Sequence, residues 1–141
     1  MQKVTYKYKS IATSLSPAKF DLMPVIPITV SFKKEKMNVE ALIDSGAVRC
    51  FCPIEIGRNL GIPLDQCPRG KLFGLGGGIE TRIHKIQIAI EYGKYKFPAD
   101  VDFGEFRFHG FSFILGQQDF FKNVNVNFER RKKRVVLYIP E

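Results

Sequence analysis

The sequence predicts an all-β domain. Apolar and polar residues alternate over most of the chain, with the two-residue period of strands half buried against a core. The 12 glycines and 8 prolines are scattered between these segments rather than gathered in a low-complexity tract. Helical spacing is confined to two short stretches, so strands must build the core. At 141 residues the chain fits one domain, which at this size buries roughly two thirds of its unfolded surface and needs neither disulfides nor metals.

Residues 1–23 read as an N-terminal extension ahead of a domain over 24–141. Val4, Tyr6 and Tyr8 alternate like a strand, and Ser10 to Asp21 reads as a loop. A strand in that position needs an edge to pair with, on its own chain or on a second one. The first hairpin sets Ile26, Ile28, Val30 and Phe32 against Ile43, Ala41, Val39 and Met37, across a loop of Lys33 to Lys36. The second turns at Gly93-Lys94 and sets Tyr92, Ile90, Ile88 and Ile86 against Tyr95, Phe97, Ala99 and Val101, with Gly93 supplying the positive φ of a two-residue turn. The third sets Phe128, Val126 and Val124 against Val135, Leu137 and Ile139. Its loop, Glu129 to Arg134, lacks Gly and Asn, which predicts a longer connection built on a type I turn.

Of the two short helices, the first has Pro53 at its first position, Ile56 and Leu60 as i,i+4 partners and Gly61 as the stop. The second is one turn around Gln117 to Phe121. Cys50 and Cys52 share a strand face and read as small buried hydrophobes. Phe103, Phe106, Phe108, Phe111 and Phe113 read as core, with Gly110 a bulge.

Charge and cysteine usage bound the function. Lys and Arg number 22 against 14 Asp and Glu, a formal charge of +8. Three cysteines, an odd number, speak against a disulfide scaffold and for a reducing, cytoplasmic compartment. No apolar run approaches the roughly 20 residues of a membrane span. The basic start, MQKVTYKYKS, leads into no apolar h-region. His84 and His109 lie far apart and no paired-ligand spacing exists, so neither a metal nor another cofactor is expected. The run Arg130 to Arg134 reads as a solvated hairpin tip. A nucleic-acid role there lacks any accompanying base-reading motif.

The chemistry-bearing segment is Ala41-Leu42-Ile43-Asp44-Ser45-Gly46-Ala47, where a carboxylate follows three apolar residues. Asp is depleted in strands and rarely buried unpaired. An Asx turn at the strand end and a catalytic carboxylate both account for this tetrapeptide.

The wider stretch, ALIDSGAVRCFCPIEIGRNLGI, resembles the active-site segment of retropepsin-like aspartic proteases, as found in bacterial members. Phe113-Ile114-Leu115-Gly116 is similar to the second conserved element of that family, and QQDFFKNVNVNF to its last helical turn and strands. Gly74-Leu75-Gly76-Gly77-Gly78 falls where the family carries its flap. The resemblance covers about residues 24–139. It implies a closed β-barrel with one or two short helices, and hydrolysis of extended polypeptide by two carboxylates sharing a proton. The chain has one Asp-Ser-Gly, so the resemblance implies a homodimer in which each chain contributes Asp44. It further implies that Ser45 braces the two loops and that Gly46 permits close approach. Ala47 and residues Gly74, Leu75, Gly76, Gly77 and Gly78 would bind substrate. Asp119 reads as a surface or capping residue rather than a second catalytic acid. The rival functions are a non-catalytic peptide-binding dimer on the same fold and a basic domain associated with nucleic acid.

Overall fold

The structure, a computed structural model, describes residues 1–15, 17–74 and 77–141. Its strands are β1 (Gln2–Lys7), β2 (Lys9–Leu15), β3 (Ala18–Met23), β4 (Val25–Phe32), β5 (Glu35–Ile43) and β6 (Cys50–Pro53). After a short helix, α1 (Ile54–Asn59), come β7 (Arg69–Gly74), β8 (Gly77–Ile90), β9 (Tyr95–Gly104), β10 (Phe113–Leu115), β11 (Asn125–Glu129) and β12 (Arg134–Ile139). The main sheet runs β4-β5-β10-β6-β9-β8-β7, and β4 also pairs with β8. The core lies inside this curl, where Ile26, Val30, Ala41, Ile88, Val101, Phe103, Phe113 and Leu115 are buried.

All three hairpins form, two of them with a register different from the expected one. In the first, Val30 faces Met37, Ile28 faces Val39 and Ile26 faces Ala41, a shift of two residues. The turn is only Lys33-Lys34, with Lys33 left-handed at φ 53°. A two-residue shift keeps every side chain on its own face, so alternation alone could not distinguish the registers. A left-handed backbone costs an L-residue about 1 kcal/mol, and Asn tolerates it better than Lys. Lys33→Asn is therefore expected to stabilise the chain by about 0.5 kcal/mol, read as a raised urea midpoint. An unchanged or lowered midpoint would count against this turn.

The second hairpin is likewise shifted by two, with Ile90 facing Tyr95 and Ile88 facing Phe97. Its loop is Glu91 to Lys94 rather than Gly93-Lys94 alone. Gly93 does have positive φ (83°), but so do Glu91 and Tyr92, and Tyr92 is fully exposed in the turn rather than paired. In the third hairpin the expected register holds: Phe128 faces Val135 and Val126 faces Leu137. A helical turn at Arg130–Lys132 followed by left-handed Lys133 makes the longer connection, and Val124 lies just ahead of β11.

Near the N-terminus, β1 pairs with β12 of the same chain, Val4 opposite Leu137. Ser10 to Asp21 is a hairpin of β2 and β3 rather than a loop. The sequence hides it because β3 is mostly exposed, so neither of its faces carries an apolar alternation. Pro53 caps α1 one position earlier than expected, and Gly61 follows its end as the stop. The phenylalanine cluster divides. Phe103 and Phe113 are core, whereas Phe106, Phe108 and Phe111 are half-buried in the β9–β10 connection, with ring centroids 5.0 and 4.8 Å apart along the row. Gly110 is a turn residue (φ 84°) against Ile11, not a strand bulge.

Cys50 and Cys52 point into the core from β6. Burial pushes the Cys50 thiol up to about 12, and Cys52 is raised as well. The thiolate is the reactive form, so both are expected to resist alkylation at pH 8 in the folded chain and to react once urea unfolds it. Rapid native labelling of either would contradict this burial. The sign of the linkage follows. The unfolded thiol loses its proton near its ordinary 9.0 and the folded Cys50 near 12, so stability falls as pH rises between those values.

Candidate active site

Asp44 stands where β5 ends. Beyond that point the sequence changes from strand-forming Ala-Leu-Ile to Ser-Gly, and the chain turns. Asp44 N–H donates to the Leu115 carbonyl at 3.0 Å, tying the turn to β10, which pairs in parallel with β5. Gly46 N–H donates to Asp44 Oδ1 at 2.9 Å, and Ala47 N–H to the Asp44 carbonyl at 3.2 Å. The Asx turn is therefore present, and the carboxylate remains half-exposed. A Cβ on Gly46 would stand 3.2 Å from Asp44 Oδ1, so a side chain there would crowd the carboxylate.

The turn is braced from behind by residues Gln117 and Gln118, at the start of the helical turn Gln117–Phe121. Their backbone N–H groups donate to the Ala47 and Val48 carbonyls at 2.8 and 2.9 Å. Gln117 Nε2 donates to the Ser45 carbonyl at 2.7 Å. Gly116 lets these segments meet. A Cβ there would lie 2.7 Å from the Arg49 carbonyl carbon and 2.9 Å from the Ala47 oxygen. The element Phe113-Ile114-Leu115-Gly116, similar to the family's second conserved element, thus packs directly behind Asp44.

In front of the turn is a cavity of about 450 Å³, lined on one side by Asp44, Gly46, Ala47 and Val48 and on another by Lys71, Leu72 and Phe73 of β7. Arg49, Phe51 and Asp102 complete it. Val48 is 61% exposed and Phe73 82%, an apolar rim around a carboxylate. A larger cavity, about 620 Å³, lies between Pro53–Glu55 and Gly104–Arg107, where Glu55 and Glu105 both pair with Arg58. It contains no carboxylate poised in a turn.

The other expected site residues divide. Ser45 is exposed beside the cavity. Gly74 pairs with Gly77, and Gly78 with Phe73, at the far end of the β7–β8 hairpin whose β7 residues line the cavity. Leu75 and Gly76 lie outside the described residues. Asp119 is remote in role: its Oδ2 accepts the Asp100 N–H at 2.9 Å, capping the backbone of β9.

Sequence reasoning missed a buried cluster at the cavity floor. Asp102 on β9 is fully buried. It accepts Arg49 Nε–H at 2.7 Å, Arg49 Nη2–H at 3.4 Å and the Thr81 hydroxyl at 2.6 Å. A buried carboxylate without partners costs several kcal/mol, and here a guanidinium and a hydroxyl offset that cost. Hydrogen bonding to Asp102 in turn raises the Arg49 pKa further. The signal was available, since an Asp between Val101 and Phe103 is as anomalous in an apolar strand as Asp44 is after Ile43.

No family model matches the sequence, and no curated protein matches it. Solved structures do. The crystal structure of a retropepsin-like aspartic protease from Rickettsia conorii is similar over 96% of this chain and 98% of that one, at 13% identity and a TM-score of 0.58. The solution structure of Simian Foamy Virus (mac) protease aligns over 66% of this chain and 89% of that one, at 20% identity and a TM-score of 0.40. The first likeness shows that this chain has the retropepsin-like fold. It spans nearly the whole of both chains.

Proposed function

We infer that the chain is an aspartic endopeptidase whose dyad consists of two copies of Asp44, one from each chain of a homodimer. The observation that carries this reading is the placement of Asp44 in an Asp-Ser-Gly turn, facing an apolar-rimmed cavity, on a fold shared with a retropepsin-like protease. The other carboxylate lining that cavity, Asp102, is engaged by Arg49 and Thr81 and cannot serve as the second acid. A second chain is then the source of the partner carboxylate. The exposed apolar side chains Val48, Phe73 and Ile79 support burial against a partner chain or an extended peptide. The return pairing of β4 with β8 supports a closed barrel.

In the reaction, the two Asp44 carboxyls share one proton because like charges in contact cannot both ionise. The ionised carboxylate takes a proton from a water molecule as its oxygen attacks the scissile carbonyl carbon. The protonated carboxyl gives its proton to the carbonyl oxygen. In collapse of this tetrahedral species, the carboxyl that took the water proton gives it to the amide nitrogen, a hydroxyl of the tetrahedral carbon returns its proton to the other carboxylate, and the C–N bond breaks. Ser45 and Gly46 hold the two turns close together, and Ala47 meets the substrate backbone. The β7–β8 hairpin, whose end carries the Gly74–Gly77 and Phe73–Gly78 pairs, closes over the peptide and excludes water.

The test is cleavage of an unfolded-protein mixture from acid to neutral pH, with association measured by sedimentation. A dimer that cleaves between apolar residues supports the reading. The Gly46 N–H bond gives Asp44 a structural role independent of catalysis, which favours one alternative, a non-catalytic dimer that grips peptides. A folded dimer that binds peptides but cleaves none at any pH would establish that alternative.

A further inference from the structure

We propose that Arg49, clamped by Asp102, is a specificity-determining residue that selects peptides carrying an acidic side chain near the scissile bond. This deepens the peptidase reading and rests on peptide binding at the Asp44 cavity.

Arg49 lies five residues beyond Asp44 and lines the same cavity. Its guanidinium has five N–H donors in a rigid fork. Asp102 takes the one on Nε and one on Nη2, the second at a long 3.4 Å. The remaining donors have no acceptor among the described residues, and 28% of the side chain stays exposed. A merely structural ion pair gains nothing from leaving the three remaining donors open to the cavity.

Asp102 makes the edge effective. Fully buried and bonded also to Thr81, it holds the guanidinium in one orientation, so little side-chain freedom remains to be lost on binding. The packing around it is tight: a Cβ on Gly70 would come within 2.7 Å of both Asp102 Oδ1 and Thr81 Oγ1. The cluster therefore links the segment after Asp44 to the base of the β7–β8 hairpin.

The charges lining the cavity favour an anion. Lys71 is a second cation there, and it makes no ion pair among the described residues, since its cross-strand neighbour Glu80 pairs with Arg69. Of the two carboxylates, Asp102 is sequestered and Asp44 belongs to the reaction. A carboxylate offers the planar pair of acceptors that a guanidinium edge recognises; a neutral amide of the same shape offers one acceptor and no charge.

The test measures binding separately from turnover. Fluorescent decapeptides, apolar except for one scanned position occupied by Glu, Gln or Lys, are titrated into Asp44→Asn protein by anisotropy. The expected result is that Glu at one or two positions binds about tenfold tighter than Gln, with Lys weakest. The advantage should disappear in Asp44→Asn carrying Arg49→Met and Asp102→Asn together, a pairing that leaves no buried charge alone. Circular dichroism of that variant checks its fold, and Asp44→Asn/Arg49→Lys, which keeps the charge without the fork, should lose most of the advantage. Equal affinity for Glu and Gln peptides would overturn the proposal, as would a preference that survives both Arg49 replacements. Cleavage of the same peptides by the unmodified protein reports on the peptidase reading. Loss of cleavage with the Glu preference intact would remove the activity and leave the recognition.

Discussion

Asp44→Asn is expected to lower peptide cleavage by at least about 10³-fold while leaving the fold and the association state unchanged. The substitution keeps side-chain shape, and the amide oxygen still accepts the Gly46 N–H, so the turn that carries Asp44 survives. Under the proposed mechanism, what is lost is the carboxylate that takes a proton from water in one chain and the shared proton in the other. Mixing sharpens the measurement. If the dyad spans two chains, excess Asp44→Asn protein added to the unmodified protein should suppress its activity as subunits exchange, because every mixed dimer has half a dyad. The activity of the unmodified protein should follow a bell-shaped profile on the acid side of neutrality, since one carboxyl must be protonated while the other is not. Cleavage by Asp44→Asn at the unmodified rate would eliminate the mechanism. Activity that merely dilutes in the mixture would eliminate the shared dyad.

Gly116→Ala is expected to destabilise the chain by about 3 kcal/mol, near the upper end for an added methyl group. The new Cβ meets the carbonyl groups of Arg49 and Ala47, which are backbone and cannot swing aside. Relief requires the Ala47–Arg49 segment to move away from β10, and that segment is continuous with Asp44. The same variant should therefore lose about 10²-fold in cleavage per folded molecule, the scale associated with a displacement of about 1 Å at a reacting group. Urea denaturation reads the first effect, and activity corrected for the folded fraction reads the second. A variant with unchanged stability would show that Gly116 does not make the close approach described.

Much of the fold was legible because strand alternation reports directly which face is buried. It specified the parity of the three expected hairpins and, for β11 and β12, the full register. In the first two hairpins it left a choice between registers two residues apart, and neither Lys33-Lys34 nor Glu91-Tyr92 advertises a left-handed turn. The β2–β3 hairpin was illegible for a related reason: with most of β3 in solvent, there was no pattern to read. At the site, Asp44, Ser45, Gly46 and Ala47 were legible as a contiguous motif, whereas the pairing of Asp102 with Arg49 and Thr81 was not. Arg49 and Asp102 are 53 residues apart, and only the parallel pairing of β6 with β9 brings them together.

The sequence by itself determined an all-β chain and a single Asp-Ser-Gly segment at the end of an apolar strand. These are properties of local pattern, where each residue's neighbours are its neighbours in the chain. Only the tertiary structure decided what surrounds that turn: the β7 wall, the Gln117 brace, the close approach at Gly116, and the sealing of Asp102 by Arg49 and Thr81. Each of these depends on segments far apart in sequence being held at contact distance. The burial of many weak apolar contacts specifies that placement collectively, and no single position records it.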